Sequence, residues 1–254
     1  MFRVVIPARY ASERLPGKAL LPIAGKPMVQ WVYERALAAG AAQVLIATDD
    51  ARIVQAARAF GAEAVLTAAT HASGTDRIAE VARARGWAAG ETVVNVQGDE
   101  PLMPATLIRQ VAATLAATPA ADIATLAGAL GSVAELLDPN VVKVVSDASG
   151  RALYFSRAPI PWNRAGAAAG LASQTDAGGG RRHIGIYAYR VRSLARLAQL
   201  TPSPLERRER LEQLRALENG LAIQVADACA QPGPDVNTAA DLERVEALIG
   251  ARTN

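Results

Sequence analysis

Val4-Val5-Ile6-Pro7-Ala8-Arg9-Tyr10-Ala11-Ser12-Glu13-Arg14-Leu15-Pro16-Gly17-Lys18 opens the chain with a short apolar run followed at once by a basic loop. Four consecutive apolar residues read as a strand buried on both faces, and open α/β sheets bind ligands just beyond the carboxyl ends of such strands. The loop that follows reads as an anion cradle. Arg offers a planar fork to phosphate oxygens, Lys a compact point charge, Ser12 a hydroxyl, and Gly17 a backbone that a ligand can approach without a Cβ in the way. Polyphosphate is the natural guest. A solvated basic turn is the alternative, and the position after a strand, with the Pro16-Gly17 turn, favours the ligand.

Two common phosphate loops are excluded. Gly17-Lys18 is followed by Ala19, where a Walker A motif needs Ser or Thr, and Ser12 stands where its first glycine belongs. No G-x-G-x-x-G opens the first helix, so the dinucleotide fingerprint is missing as well. Mononucleotide chemistry remains.

Working outward, Val4 to Pro7, Gln43 to Ala47, Glu63 to Leu66 and Thr92 to Val96 read as strands, with helices around Val29 to Ala39, Ile53 to Phe60 and Thr75 to Arg85 between them. This rhythm predicts a mostly parallel sheet with helices on both faces and right-handed crossovers. Ser73, Thr75 and Asp76 supply capping chemistry for the third helix. After about residue 130 the pattern changes. Val141 to Val145, the turn Asp147 to Gly150, and Ala152 to Phe155 predict a β-hairpin and the start of an added lobe. Gly166 to Gly180 reads as a mobile loop, Ile184 to Tyr189 as a return strand, and Leu205 to Asn219 as one helix stopped by Gly220. A strand at Ala222 to Ala226 and a helix from Ala239 to Gly250 close a single domain, 1–254.

Composition narrows the function. With 254 residues, 51% of them hydrophobic, the chain can bury a large core. No apolar run approaches the roughly 20 residues that span a bilayer, and the N-terminus lacks a signal-peptide pattern, so a cytoplasmic location is expected. The 27 Lys and Arg against 24 Asp and Glu are dispersed and aromatics make up 4%, which argues against nucleic acid as a partner. The single cysteine, Cys229, excludes an intrachain disulfide.

Asn95-Val96-Gln97-Gly98-Asp99-Glu100-Pro101 ends the fourth strand, so Gln97 and Asp99 emerge at the same sheet edge as the basic loop. A carboxylate beside a polyphosphate is repelled unless a hard divalent cation bridges them, and Mg²⁺ is usually held by one or two carboxylates plus phosphates. A turn aspartate capping its own loop is the plainer alternative.

These residues carry a resemblance. The first loop, His71-Ala72-Ser73-Gly74-Thr75-Asp76-Arg77, the Asn95 to Pro101 block, Asn140 to Val145, Tyr154-Phe155-Ser156-Arg157, His183 to Tyr187, and Pro204-Leu205-Glu206 through Leu211-Glu212-Gln213-Leu214 follow in order and spacing the 3-deoxy-manno-octulosonate (Kdo) cytidylyltransferases. The chain resembles that family over nearly its whole length. The resemblance implies a Rossmann-like, mostly parallel doubly wound α/β sheet of nucleotide-diphospho-sugar transferase type. It also implies a smaller hairpin-containing lobe, about 130–205, that serves the sugar side and a homodimer contact. The implied reaction is CTP plus Kdo giving CMP-Kdo and pyrophosphate, activating Kdo for lipopolysaccharide synthesis, with Mg²⁺ as cofactor.

What the resemblance implies for residues is as follows. Ala8, Arg9, Ser12, Arg14, Lys18, Ser73, Gly74, Asp76 and Gln97 hold the nucleotide, with Arg9, Arg14, Lys18 and Asp99 catalytic. Arg77, Gln97, Arg157, His183, Tyr187, Glu212 and Gln213 serve Kdo, an acidic polyol that needs cations for its carboxylate and mixed donors and acceptors for its hydroxyls. Plainer roles stay open for His183 as a strand-end hydrogen-bond partner, Tyr187 as core and Glu212 as part of a solvated helix face. His71 is left unassigned. One position departs from the family, which carries Asp-Thr as a second metal carboxylate where this chain has Asn237-Thr238. The expected metal residues are Asp99 and Asn237, the latter as an uncharged oxygen ligand; Asp235, two residues earlier, substitutes only if the loop is rearranged. The competing functions are a CMP-sialic acid synthetase-like nucleotidyltransferase and a nucleotide-binding regulatory or RNA-interacting protein without turnover.

Overall fold

A computed structural model describes residues 1–12, 14–166 and 169–253. Its centre is β1 (Phe2–Pro7), flanked in parallel by β4 (Gln43–Thr48) on one side and β6 (Thr92–Asn95) on the other, with Val4 opposite both Val44 and Val94. Adding β5 (Glu63–Leu66), β7 (Ile123–Ala129), β10 (Arg181–Arg190) and β11 (Ile223–Asp227) gives the order β5, β4, β1, β6, β10, β7, β11. Six of these seven strands run the same way; β10 alone is antiparallel, to both β6 and β7. The sheet is therefore mostly parallel, as the alternating pattern predicts.

Alternation along the central strands divides the interior. Val4, Ile6, Val44, Ile46 and Val94 bury against α1 (Met28–Ala38), α2 (Ala51–Ala59) and α4 (Ala105–Ala117), whereas Val5, Leu45, Ala47 and Val93 bury against the opposite helices. Those are α3 (Gly74–Ala84), α6 (Val191–Leu197) and α8 (Gln213–Glu218). Both faces are covered, which is why these strands are continuous apolar runs rather than alternating ones.

A third, smaller core lies under α9 (Ala239–Thr253). It joins Ile23, Met28, Leu102, Val236, Val245 and Ile249, with Leu15 packed against it. Ile23 belongs to β2 (Pro22–Ile23), which turns through Ala24 and Gly25, both at positive φ, into β3 (Lys26–Pro27).

The expected hairpin is β8 (Lys143–Ser146) and β9 (Ala152–Ser156), turned by Asp147, whose Oδ1 accepts from the Ser149 and Arg151 amides. It continues the main sheet, because β8 also pairs with β10 at Arg181 and Arg182. Lys143 is fully buried and donates its ammonium to the carbonyls of Asp138 and Arg157. A short helix α5 (Val133–Leu137) precedes the hairpin. In the Gly166–Gly180 stretch, expected to be a mobile loop, residues 167 and 168 lie outside the described residues. The remainder holds one turn of 3-10 helix at Leu171–Ser173.

One expected element differs. Leu205 to Asn219 is not a single helix: α7 (Pro204–Glu209) ends at Arg210, which takes the left-handed conformation (φ 57°), and α8 begins at Gln213. The break folds the two helices onto each other, so that the Glu206 carboxylate of α7 accepts from Nη2 and Nε of Arg215 in α8, at 2.5 and 2.8 Å. It also turns Leu211 into the core. Leucine spacing alone cannot register a break that a long-range ion pair and a buried side chain stabilise. The residues from Ala105 to Ala129, which form α4 and β7, carried no expectation.

Candidate active site

Four segments meet beyond the carboxyl ends of the parallel strands: the loop after β1, the start of α3 after β5, the loop after β6, and the stretch after β11. The first is closed on itself by the Gly17 amide donating to the Tyr10 carbonyl (3.1 Å) and Lys18 to Leu15 (3.1 Å). Gly17 has φ 67°, and a Cβ there would lie 3.2 Å from the Tyr10 hydroxyl, so glycine is the residue that lets the loop turn. The Arg52 guanidinium lies 3.4 Å above the Tyr10 ring and holds the outer side of that turn.

Close backbone approach brings the next two segments in. A Cβ on Gly98 would stand 2.9 Å from the Pro7 carbonyl oxygen, and one on Gly74 would stand 3.1 Å from the Pro7 ring. Ser73 caps α3 by accepting from the Asp76 amide (3.1 Å), and the Asp76 carboxylate accepts from the Ser73 amide in return (3.2 Å).

Two adjoining cavities result. The first, about 420 Å³, is lined by Ala8, Arg9, Ser12, Arg14, Lys18, His71, Ser73, Gly74, Arg77, Gln97, Asp99 and Asn237, among others. The second, about 370 Å³, is lined by Thr75, Asn95, Glu100, His183, Gly185, Tyr187, Tyr189, Glu212, Gln213 and Asp235, among others. Gly74, Gln97 and Asp99 line both. The basic loop thus faces one chamber, a mixed polar and aromatic wall faces the other, and a carboxylate stands at the junction.

Charge in the first chamber is organised by Lys18, whose ammonium lies 2.6 Å from Asp99 Oδ2 and 2.8 Å from the Val236 carbonyl oxygen. Arg14 donates to Asn237 Oδ1 at 2.9 Å. His71 pairs through Nε2 with the Glu80 carboxylate.

The second chamber is built largely from β10. His183, Tyr187 and Tyr189 form a ring ladder with centroids 5.3 and 5.8 Å apart, and Phe155 packs edge-on against His183 at 5.0 Å. The β10–β7 register shifts between Ile184 and Tyr187, and Thr125 Oγ1 sits within 3.2 Å of the Ile184 carbonyl and 2.8 Å of the Ile186 carbonyl. With its one proton used there, Thr125 accepts from His183 Nε2 at 2.9 Å, so the ring is the Nε2–H tautomer with Nδ1 as its acceptor. Burial holds its pKa down, to about 3, and the ring is neutral. Burial raises Glu212, opposed by hydrogen bonds from Thr75 and Ser73. Burial, then the neighbouring charges of Asp99 and Asp235, pushes Glu100 up to about 8.

Most of the residues singled out in the sequence are brought together here, and three are placed differently from the rest. Arg77 lines the first chamber instead of the sugar side; it is 3% exposed and donates to Asp49 Oδ2 (2.9 Å) and to Thr67 Oγ1. Asp76 is absent from both linings and is committed to the Ser73 cap. Arg157 is absent from both as well, with Nε on the Glu209 carbonyl (2.7 Å) and Nη1 on the Pro139 carbonyl (2.9 Å). Residues that sequence reasoning passed over are Thr75, Asn95, Thr125, Gly185 and Tyr189. Tyr189 lies two residues from Tyr187 on a strand, the spacing that puts both side chains on one face.

Residues 3–223 match the model of a family described as cytidylyltransferase. A 3-deoxy-manno-octulosonate cytidylyltransferase of Cellvibrio japonicus is 56% identical over 249 residues, 98% of each chain. The chain belongs to the 3-deoxy-manno-octulosonate cytidylyltransferase family. A second member, from Pseudomonas fluorescens, is 57% identical over 250 residues, again 98% of each chain. The solved structure of a CMP:2-keto-3-deoxy-manno-octonic acid synthetase complexed with CTP superposes with TM-score 0.89 at 44% identity, covering 99% of this chain and 100% of that one. A nucleotidyl transferase from Methanothermobacter, at 16% identity and TM-score 0.61, shares the fold. As a cytidylyltransferase family member this chain keeps Asn237 in the first cavity, beside Arg14.

Proposed function

We propose that this protein transfers CMP from CTP to Kdo, releasing pyrophosphate. The observation that carries the reading is the pair of cavities meeting at Gly74, Gln97 and Asp99, one cationic and one lined by hydroxyl, amide and imidazole groups. CTP fits the first, its triphosphate against Arg9, Ser12, Arg14 and Lys18 and its nucleoside toward Ser73, Gly74 and Gln97. Kdo fits the second, against His183, Tyr187, Glu212 and Gln213. The anomeric hydroxyl oxygen then bonds to the α-phosphorus at the junction and gives up its proton to solvent, while the bond from phosphorus to the bridging oxygen breaks on the far side. Arg14 and Lys18 carry the charge that gathers on the departing pyrophosphate, and positioning and electrostatics do most of the catalysis.

Mg²⁺ belongs to this reading. The donors at the junction are hard oxygens, Asp99 together with the nucleotide's own phosphates, which is the set this ion prefers. When bound it neutralises phosphate charge and lowers the pKa of a coordinated hydroxyl. A homodimer through residues 130–205 and a cytoplasmic location complete the proposal. Exposed Leu153 and Trp162 on that part of the chain support the first, and sedimentation at micromolar concentration tests it. Among the described residues no helix is long and apolar enough to cross a membrane.

Pyrophosphate release with CTP and Mg²⁺ tests the function, run with Kdo, with N-acetylneuraminic acid and with no sugar. Release with Kdo alone is expected. Release only with the sialic acid overturns the sugar, and none in any reaction overturns the enzyme.

A further inference from the structure

Asn237 is the amide that stands in the first cavity where a second metal carboxylate is expected, and its two ends are already committed. A guanidinium can only donate and a carboxylate can only accept, so the amide orientation is fixed by its partners: Oδ1 accepts from Arg14 Nη2, and Nδ2 donates to Asp235 Oδ2. The one oxygen Asn237 could offer a metal is thus turned to a cation. Asp235, which it holds, lines the second cavity together with Asp99 and Glu100.

The segment carrying Asp235 is fastened against the Asp99 loop at three points. The Val236 amide donates to the Asp99 carbonyl (2.9 Å), the Val236 side chain is fully buried with Leu102, and Gly233 lies so close to Leu102 that a Cβ there would come within 2.4 Å of the leucine Cβ. Facing the same chamber is Glu100, whose Oε2 is enclosed and has no hydrogen-bond partner among the described residues. Among the described residues, Lys18 supplies the one ion-pair contact to Asp99.

We propose that Asp235 is the second carboxylate ligand of the divalent cation at the junction, on the side from which the sugar hydroxyl enters, and that Asn237 is a positioning residue that holds Asp235 and Arg14 in register. The proposal rests on the Mg²⁺ reading above and extends it to a ligand two residues from the expected one.

Mn²⁺ titrated into the full-length protein with CTP, with bound metal read by water-proton relaxation, tests it without turnover. Asp235→Asn should weaken Mn²⁺ at least tenfold, comparably to Asp99→Asn, and Asn237→Ala, which acts through Asp235, should cost less than Asp235→Asn. Melting temperature and metal-free CTP affinity confirm that each variant is folded. If Asp235→Asn leaves Mn²⁺ affinity unchanged while Asp99→Asn lowers it, the assignment is overturned and the metal reading stands. If Asn237→Ala costs more than Asp235→Asn, Asn237 is the ligand and the assignment is again overturned. If neither aspartate variant changes Mn²⁺ binding, the metal reading itself fails.

Discussion

The Lys18 ammonium sits 2.6 Å from Asp99 Oδ2, so the basic loop after β1 and the acidic loop after β6 are joined by one ion pair across the mouth of the first cavity. A second hydrogen bond from the same ammonium, to the Val236 carbonyl, ties in the segment after β11. One side chain thereby gathers three loops that are 81 and 218 residues apart in sequence.

Because both partners line an open cavity and stay partly exposed, the pair should matter more to turnover than to stability. Asp99→Asn should lower the rate of pyrophosphate release by roughly 100-fold, the scale on which a preorganised electrostatic group acts. Lys18→Met should raise the KM for CTP about tenfold, the scale of losing 1.4 kcal/mol of phosphate contact. Steady-state kinetics beside a thermal melt checks both, with melting temperatures expected to stay near that of the unaltered protein.

Gly98 is a packing requirement. An alanine Cβ would meet a backbone carbonyl oxygen at 2.9 Å, and that atom belongs to β1 in the centre of the sheet, where it cannot move aside. Gly98→Ala should therefore cost about 1–3 kcal/mol, the usual range for overpacking, and displace Asp99 with it. Urea unfolding and CTP affinity should both worsen.

Arg77 and Arg157 should behave as structural residues first. Arg77→Ala takes a nearly buried guanidinium away from a partly exposed Asp49 and from Thr67 and should cost about 1–3 kcal/mol. Arg157→Ala removes donors from the Glu209 and Pro139 carbonyls. The check is the melting temperature in the absence of substrate; an unchanged value for Arg157→Ala, with a raised KM for Kdo, would return that residue to the sugar site.

His183 makes a pH prediction with a definite sign. Burial holds its folded pKa to about 3 against 6.5 when exposed, so between those values the unfolded chain binds the proton and the folded one does not. Stability falls as pH drops from about 6.5 toward 3, by about 1.4 kcal/mol per unit at full slope. His183→Gln should flatten the difference in unfolding free energy between pH 7 and pH 4 relative to the unaltered protein.

Glu100 has the opposite sign. Burial, then Asp99 and Asp235, pushes its pKa to about 8 from 4.5, so the folded state binds the extra proton and stability declines as pH rises from about 4.5 to 8. Glu100→Gln should remove that decline when unfolding is followed in chelator across the same range.

The parallel core was legible because buried strands leave unbroken apolar runs and helices leave three- and four-residue spacing. Val4 to Ile6 and Val29, Val32 and Ala36 carry both signals within a few residues. The basic loop and Asp99 were legible for a related reason: charge and glycine concentrated directly after a strand point to its ligand-binding end. The break at Arg210 was not, since a helix with a leucine stripe and a helix pair with a left-handed hinge differ in one backbone torsion and in a partner nine residues away.

Local chemistry alone therefore indicated the alternation of strands and helices up to residue 96 and the basic loop after the first strand, while the order and spacing of the motifs carried the resemblance to the family. What only the tertiary structure decided is commitment: which polar group is already taken. Arg77 on Asp49, Asp76 on the Ser73 cap, Arg157 on two carbonyls and Asn237 between Arg14 and Asp235 are all groups whose hydrogen bonds are satisfied, most of them by partners far away in sequence. A sequence lists donors and acceptors, but burial forces each to find a partner, and which partner it finds depends on how the loops are packed.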